Sequence, residues 1–222
     1  MDVHKYGFIL KKLQEEDIEM LRKHRNSEAI RSKMFYQKKI TSEEQKRWFA
    51  SVNNIYNFHF IICYKGEKIG LISGKNLDYE KKTSEGGIFI WSEKYRGTAV
   101  PSIASIIMAD LTFSLLKFNA TYAEVRIDNR KQIKYNELLG YQLVEKVESE
   151  DKLIYALTAE NYLRKTRKLL SGISKLTHDE RQLSWDDVVF KSTETAQLRQ
   201  MYHKLTHDVR QSIISYLPFD DE

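Results

Sequence analysis

Arg96-Gly97-Thr98-Ala99 lies between a short apolar run, Gly86–Trp91, and a long one, Val100–Phe118. A strand that turns into a helix leaves free amides at the helix start. Those amides, with the positive end of the helix dipole, favour phosphate oxygens. Gly97 allows close approach to the backbone, and Arg96 adds a charge-assisted donor. Pro101 suits a first helical turn but removes one amide from the anion side. Thr98, Ala99, Val100 and Ser102 remain to bind an anion there. Taken alone, the turn fits an anion site and a purely structural helix start alike.

Other reactive residue types argue mostly against further chemistries. Cys63 is the only cysteine, so no internal disulfide can form, and its setting in Phe60-Ile61-Ile62-Cys63-Tyr64 reads as a packed, inert thiol. His203 and His207 have ligand spacing on one expected helix face, yet no cysteine or Glu-bearing zinc motif accompanies them. No metal is therefore expected. The net charge of +5 is spread over many Lys and Glu residues, without the clustering of a nucleic-acid face. It suits an anionic small molecule, and a solvated mixed-charge surface equally well. No stretch is apolar enough to span a bilayer, and Met1–Lys5 lacks signal-peptide character, so the cytoplasm is the expected compartment.

The elements that must position the turn follow from periodicity. Tyr6–Leu13 reads as a strand, and Gln14-Glu15-Glu16-Asp17 opens a helix with Ile18 and Leu21 on one face. Thr41-Ser42-Glu43-Glu44 is a capping-box signal before a helix carrying Trp48, Phe49 and Val52. Phe58–Tyr64 and Lys68–Ser73, joined through Gly66, predict a hairpin. The strands Gly86–Trp91 and Ala120–Ile127 flank the long helix. Asn129–Leu139 is a short helix closed by Gly140, and Tyr141–Val147 and Lys152–Leu157 form a last strand pair. The expected class is α+β, a mixed, mostly antiparallel sheet flanked by helices.

From Thr158 the pattern is helical only, which divides the chain into a domain over 1–158 and a helical extension over 159–222. A long helix is expected over Glu194–Leu217. The octet Lys175–Gln182 (KLTHDERQ) nearly recurs as Lys204–Gln211 (KLTHDVRQ), with Thr177 and Thr206 as capping candidates. The extension is open to three roles: packing on the domain, a homodimer contact, or recruitment of a partner.

Two segments carry a family resemblance over roughly Tyr6–Leu157. Arg96-Gly97-Thr98-Ala99-Val100-Pro101 resembles the Arg/Gln-x-x-Gly-x-Gly/Ala pyrophosphate loop of the GNAT superfamily of N-acetyltransferases. The run Asn129 to Gly140-Tyr141 resembles its Asn-x-x-Ala…Gly-Phe/Tyr segment. Ala99 stands where the loop usually has Gly, Pro101 where it has Gly or Ala, and Gln132 where the segment has a small residue. Asn136 stands where many members place the tyrosine that protonates the departing thiolate, with Tyr135 one position earlier.

The resemblance implies acetyl-CoA as co-substrate and direct transfer to an amine. The pantetheine arm would pair with the strand Phe89-Ile90-Trp91, putting Ile90 and Trp91 beside Arg96, Gly97, Thr98, Ala99, Val100, Ser102, Asn129 and Asn136 as cofactor contacts. A backbone amide on that strand would stabilise the oxyanion. The attacking ammonium must first lose a proton, which suits a carboxylate base: Glu85 first, then Glu124. His59 is a further candidate that fits a packed strand residue better. Tyr135, water or no group would replace the acid that Asn136 cannot be.

His24-Arg25-Asn26, Arg31, Met34 and Ile40-Thr41-Ser42-Glu43-Glu44-Gln45 resemble the branch that acetylates nucleotide-linked 4-aminosugars, with Gln45 in place of its histidine. That implies Arg25, Asn26, Arg31 and Met34 at the acceptor, the arginines on nucleotide phosphates or base and Met34 on a sugar methyl. Trp48 and Phe49 read as core. The alternatives are a Rim-type protein N-terminal acetyltransferase and a non-catalytic CoA- or nucleotide-binding scaffold. A small-molecule amine is the expected partner in the first reading, without nucleic acid or membrane span.

Overall fold

The computed structural model describes residues 1–219. Tyr6 and Gly7 adopt left-handed backbone, φ 54° and 75°. The resulting turn pairs β1 (Asp2–Lys5) with β2 (Phe8–Lys12). The single strand expected over Tyr6–Leu13 is therefore a hairpin, hidden because the turn falls on Tyr6, a residue uncommon at positive φ. Lys65 and Gly66, φ 49° and 78°, turn β3 (Phe58–Tyr64) into β4 (Glu67–Asp78), the predicted hairpin with a longer second strand. β5 (Thr83–Ile90) returns along β4.

α1 (Ile18–Asn26), α2 (Glu28–Arg31) and α3 (Ser42–Val52) lie between the two hairpins. The capping box forms as its spacing predicts. The Glu44 amide donates to Thr41 Oγ1 at 3.2 Å, and the Thr41 amide donates to Glu44 Oε2 at 2.7 Å. After β5 come α4 (Val100–Asp110), which runs on as a π-helical turn over Leu111–Leu115, and β6 (Ala120–Arg126). α5 (Arg130–Leu139) ends at Gly140 with φ 97°, followed by β7 (Gln142–Val147) and β8 (Lys152–Thr158).

The extension holds α6 (Ala159–Asn161), α7 (Arg167–Thr177), β9 (Val188–Val189), α8 (Thr195–Lys204) and α9 (His207–Ile213). Its last three residues lie outside the described residues. Among those described, one sheet runs β7-β8-β6-β5-β4-β3-β2-β1-β9. Every neighbouring pair is antiparallel except β5–β6. The α+β class with a mostly antiparallel mixed sheet is the observed one.

Alternation along the strands sets two cores. Leu10, Phe60, Ile62, Ile72 and Ile90 pack with Ile103, Ile106 and Ile107 of α4. Ile61, Leu71, Phe89 and Trp91 pack on the other face with Leu21, Trp48 and Phe49 of α1 and α3. Trp48 and Phe49 of α3 are half-buried against this cluster, where their spacing placed them in the core.

The extension is not purely helical, because β9 pairs with β1 through Asp2↔Val189 and Val3↔Val188. Trp185, Leu198, Met201, Tyr202, Val209 and Ile213 are buried in the same cluster as α4. The Gln197 side-chain amide also donates to the Asn53 carbonyl at 3.0 Å. This segment packs on the domain and completes one face of its sheet.

The long helix expected over Glu194–Leu217 breaks where Leu205 and Thr206 turn extended, with ψ 155° and 158°. His203 and His207 thus share no continuous helical face. Among the described residues no group of three or more His, Cys, Asp or Glu is placed to hold a metal. The octets also diverge. Thr206 stands at the N-cap of α9, whereas Thr177 ends α7 and donates its hydroxyl to the Ile173 carbonyl at 2.8 Å. No helix among the described residues is long and apolar enough to cross a membrane.

Candidate active site

β5 and β6 pair only through Thr83↔Ala120, Ser84↔Thr121 and Glu85↔Tyr122. Beyond that register the strands part, leaving a gap between Gly86–Ile90 and Ala123–Arg126. The Trp91 amide donates to the Ile69 carbonyl at 3.0 Å. Because antiparallel pairs alternate, Phe89 and Gly87 also bond toward β4, while Gly86, Ile88 and Ile90 turn their backbone groups toward the gap. The strand therefore offers the gap Ile88 and Ile90, and Trp91 gives it no amide. The Trp91 indole also bonds back to β4, donating to the Lys68 carbonyl at 2.8 Å.

Gly86 sits where the strands part. A Cβ there would meet the Tyr141 hydroxyl at 3.3 Å and Thr121 Oγ1 at 3.5 Å. Tyr141 packs against three core clusters that meet at this corner. Burial first of all raises its hydroxyl to a pKa of about 12. Gly86 did not stand out in the sequence, although consecutive glycines inside a strand are a known sign of close approach, and Tyr141 figured there only through the Gly140-Tyr141 resemblance.

At the far end of β5 the turn forms with Gly97 at φ 74°. The Arg96 guanidinium donates from Nε to the Ile90 carbonyl and from Nη2 to the Trp91 carbonyl, both at 3.0 Å. It thus ties the loop to the strand's end, where an outward phosphate donor was expected. The Thr98 amide donates to the Tyr95 carbonyl at 3.3 Å, and the Val100 amide to Thr98 Oγ1 at 3.2 Å. Gly97, Ala99 and Ser102 carry amides at the start of α4 that these turn bonds do not use.

α5 brings its residues to the same corner. Asn129 caps the helix, its Oδ1 accepting from the Gln132 amide at 3.3 Å. The Tyr135 hydroxyl donates to the Pro101 carbonyl at 2.9 Å and lies 2.7 Å from Ser105 Oγ, on the first turns of α4. Burial raises its pKa, so the proton is held tightly there. Asn136 is buried, its Oδ1 accepting from Gln132 Nε2 at 2.9 Å while its Nδ2 has no partner.

The two carboxylates are paired. Glu85 Oε2 lies 2.8 Å from Lys75 Nζ, and Oε1 accepts from Asn76 Nδ2 at 2.9 Å. Burial acts to raise its pKa, yet these bonds and the charges of Lys75 and Lys152 together hold it below the ordinary value. Glu85 is therefore an ionised but weak base. Glu124 pairs with Lys152 at 3.1 Å.

The α1–α3 side carries the residues expected at the acceptor. His24 stacks flat on Trp91, 4.6 Å between centroids. Arg25 Nη2 donates to the Tyr36 carbonyl at 2.9 Å, and Arg31 Nη1 to the Gln37 carbonyl at 2.6 Å. Arg25 Nη1 and Arg31 Nε are buried without partners. Burial, then the charge of Arg31, lowers the pKa of Arg25. Asn26 clamps the loop, donating to the Ile40 carbonyl and accepting from its amide, both at 2.8 Å. Its amide is thereby committed to the loop, and Met34 sits within that loop, half-buried.

His59 on β3 is buried, and Trp48 meets it edge-on at 5.1 Å. Burial, then the Lys75 charge, pushes its pKa down to about 4 from 6.5. Above pH 6.5 the ring is neutral folded or unfolded. As the pH falls toward 4, only the unfolded chain takes the proton, so stability is lost over that window, by roughly 3 kcal/mol. Denaturant midpoints at pH 7 and pH 4 should fall further apart in the wild type than in His59→Leu. Equal separations would refute a neutral buried ring.

A family model for the acetyltransferase (GNAT) domain matches residues 8–142. A crystal structure of a domain from Methanocaldococcus jannaschii superposes with a TM-score of 0.61 at 22% identity, covering 68% of this chain and 97% of that one. Spermidine N-acetyltransferase from Vibrio cholerae, solved with CoA and spermine, does so with a TM-score of 0.61 at 17% identity, over 71% and 98% of the two chains. No curated protein matches the chain in sequence.

Proposed function

The chain belongs to the GNAT acetyltransferase family, and from that premise we propose that it acetylates the primary amine of a nucleotide-linked aminosugar, using acetyl-CoA, by direct attack in a ternary complex. The observation that carries the acceptor class is the charge of the segment formed by the end of α1, α2 and the loop that follows. Arg22, Lys23, Arg25, Arg31, Lys33, Lys38 and Lys39 fall within residues 22–40 against Glu28, and even with Arg22 paired to Glu19 and Arg31 to Glu28 five cations remain in excess. A polyamine, the acceptor named for the Vibrio cholerae neighbour, would be repelled there, whereas a diphosphate would be drawn in. The orphan N–H groups on Arg25 and Arg31 suit phosphate oxygens.

The gap fits the co-substrate. Ile88 and the amide of Ile90 present backbone groups along it, Gly86 leaves room at its closed end, and the amides of Gly97, Ala99 and Ser102 lie where α4 begins. Bound there, acetyl-CoA supplies the activated thioester. The chain's own groups do the rest. An amide of β5 facing the gap stabilises developing charge on the carbonyl oxygen. Glu85, directly or through water, takes the proton of the acceptor ammonium. The amine nitrogen then bonds the acyl carbon as the carbon–sulfur bond breaks, and the second amine proton goes to solvent. Tyr135, held on Pro101, positions the first turn of α4, so the departing thiolate takes its proton from water.

Glu85→Gln should lower kcat by on the order of 10²-fold and leave acetyl-CoA affinity unchanged. Thiol-release kinetics and calorimetry check both, and an unaffected kcat refutes the base. The acceptor reading is tested by thiol release across nucleotide-linked aminosugars, aminoglycosides, spermidine and N-terminal peptides. Highest kcat/KM on a peptide would favour the Rim-type reading, and on spermidine would refute the charge argument.

A further inference from the structure

His59 is only 9% exposed, and neither ring nitrogen has a hydrogen-bond partner. A neutral imidazole carries one donor and one acceptor, and burying both unmade is costly. Two such orphans on one buried ring mark a place prepared for a polar group that the fold itself does not provide.

The sheet register says where that place is. His59 pairs with Ser73 on β4, and Ser73 pairs with Gly87 on β5. The three lie in one row on the face covered by α1 and α3, and the row ends at the gap. Two strand spacings, about 10 Å, separate His59 from Gly87 along it. Gly87 has no side chain and is exposed, and Ser73 Oγ donates to its carbonyl at 3.4 Å. Trp48, half-buried, stands edge-on beside the imidazole. The row thus sets a buried donor and acceptor, a hydroxyl and an aromatic edge side by side, and runs to the exposed backbone of Gly87 on the strand that borders the gap.

We propose that His59, Ser73 and Trp48 form the subsite for the hydroxylated ring that bears the acceptor amine, with the amine itself beside Gly87. A sugar hydroxyl both donates and accepts, so it satisfies a neutral imidazole on either nitrogen. A protonated polyamine only donates and leaves the imidazole N–H orphaned. The apolar C–H face of a pyranose also suits an indole wall. This subsite rests on the aminosugar reading for its ligand class, while Arg25 and Arg31 account for the nucleotide separately.

The test uses the full chain and long-range ¹H–¹⁵N spectra of its imidazoles, with the His59 signals assigned by their loss in His59→Gln. The probes are a uridine-diphosphate-linked 4-amino-4,6-dideoxyhexose, the free 4-amino-4,6-dideoxyhexose, and spermidine. Both sugars should shift the His59 resonances, and spermidine should not. In kinetics, His59→Leu should raise the KM of the nucleotide-linked sugar about tenfold, while His59→Gln, which keeps a donor and an acceptor, recovers most of it. The KM for acetyl-CoA should stay unchanged in both. Unmoved His59 signals with both saturating sugars, or an unaltered acceptor KM in His59→Leu, would overturn the subsite. Shifts with the free sugar, but no turnover of the nucleotide-linked one, would uphold the subsite and refute the nucleotide reading. Turnover with an unmoved imidazole would do the reverse.

Discussion

Gly86→Val is expected to cut kcat/KM for acetyl transfer by on the order of 10²-fold or more while leaving the fold intact. Gly86 is the first residue past the last β5–β6 pair, and a side chain there would meet Tyr141, Thr121 and the Tyr122 carbonyl. A single Cβ already comes within 3.3 Å of the Tyr141 hydroxyl. Two further methyls fill the corner toward which a thioester lying along β5 would point. Overpacking of this kind costs roughly 1–3 kcal/mol, which a sheet held by seven other strand pairings tolerates. Far-UV circular dichroism and the thermal midpoint report the fold, and calorimetry reports acetyl-CoA affinity. Wild-type affinity in a folded Gly86→Val protein would place the cofactor somewhere other than this gap.

Arg25→Ala should weaken the nucleotide-linked acceptor by about 10- to 100-fold in kcat/KM, the size of one charged hydrogen bond, with acetyl-CoA binding untouched. The guanidinium also supports the Tyr36 carbonyl, so loss of charge must be separated from loss of loop geometry. Asn26→Ala makes that separation, because it removes the clamp on Ile40 without changing the charge. The expected order is a large defect in Arg25→Ala, which added salt reproduces in the wild type, and a small one in Asn26→Ala. Equal defects in the two variants would mean that the loop's shape, and not its charge, selects the acceptor.

The local parts of this architecture are readable from sequence because local rules make them. The Thr41–Glu44 capping box, the Lys65-Gly66 turn and the Gly140 cap each need only a few residues in the right order. What could not be read depends on partners far away in the chain. The strand β9 is two residues long and exists because β1 offers it an edge. The break at Leu205 and Thr206 interrupts a helical pattern that periodicity alone continues.

The site divides along the same line. The turn at Arg96 is visible as a motif, yet its arginine closes on the Ile90 and Trp91 carbonyls, a choice only the folded strand end creates. Trp91 was expected beside the cofactor, but ladder alternation sends its amide to Ile69 and leaves Ile88 and Ile90 facing the gap. Gly86, Tyr141 and the row from His59 to Gly87 come together through sheet register, which no local spacing encodes. Departures such as Pro101 and Asn136 are plain in sequence. Their setting is structural: Pro101 receives the Tyr135 hydroxyl, and Asn136 is buried against Gln132.

The central claim is that the gap between β5 and β6 holds acetyl-CoA, and calorimetric titration of the wild-type chain tests it most directly. The expected result is saturable one-to-one binding with a dissociation constant in the range of roughly 1 μM to 1 mM, lost in Gly86→Val. No saturable heat from the folded wild type at millimolar acetyl-CoA would contradict it.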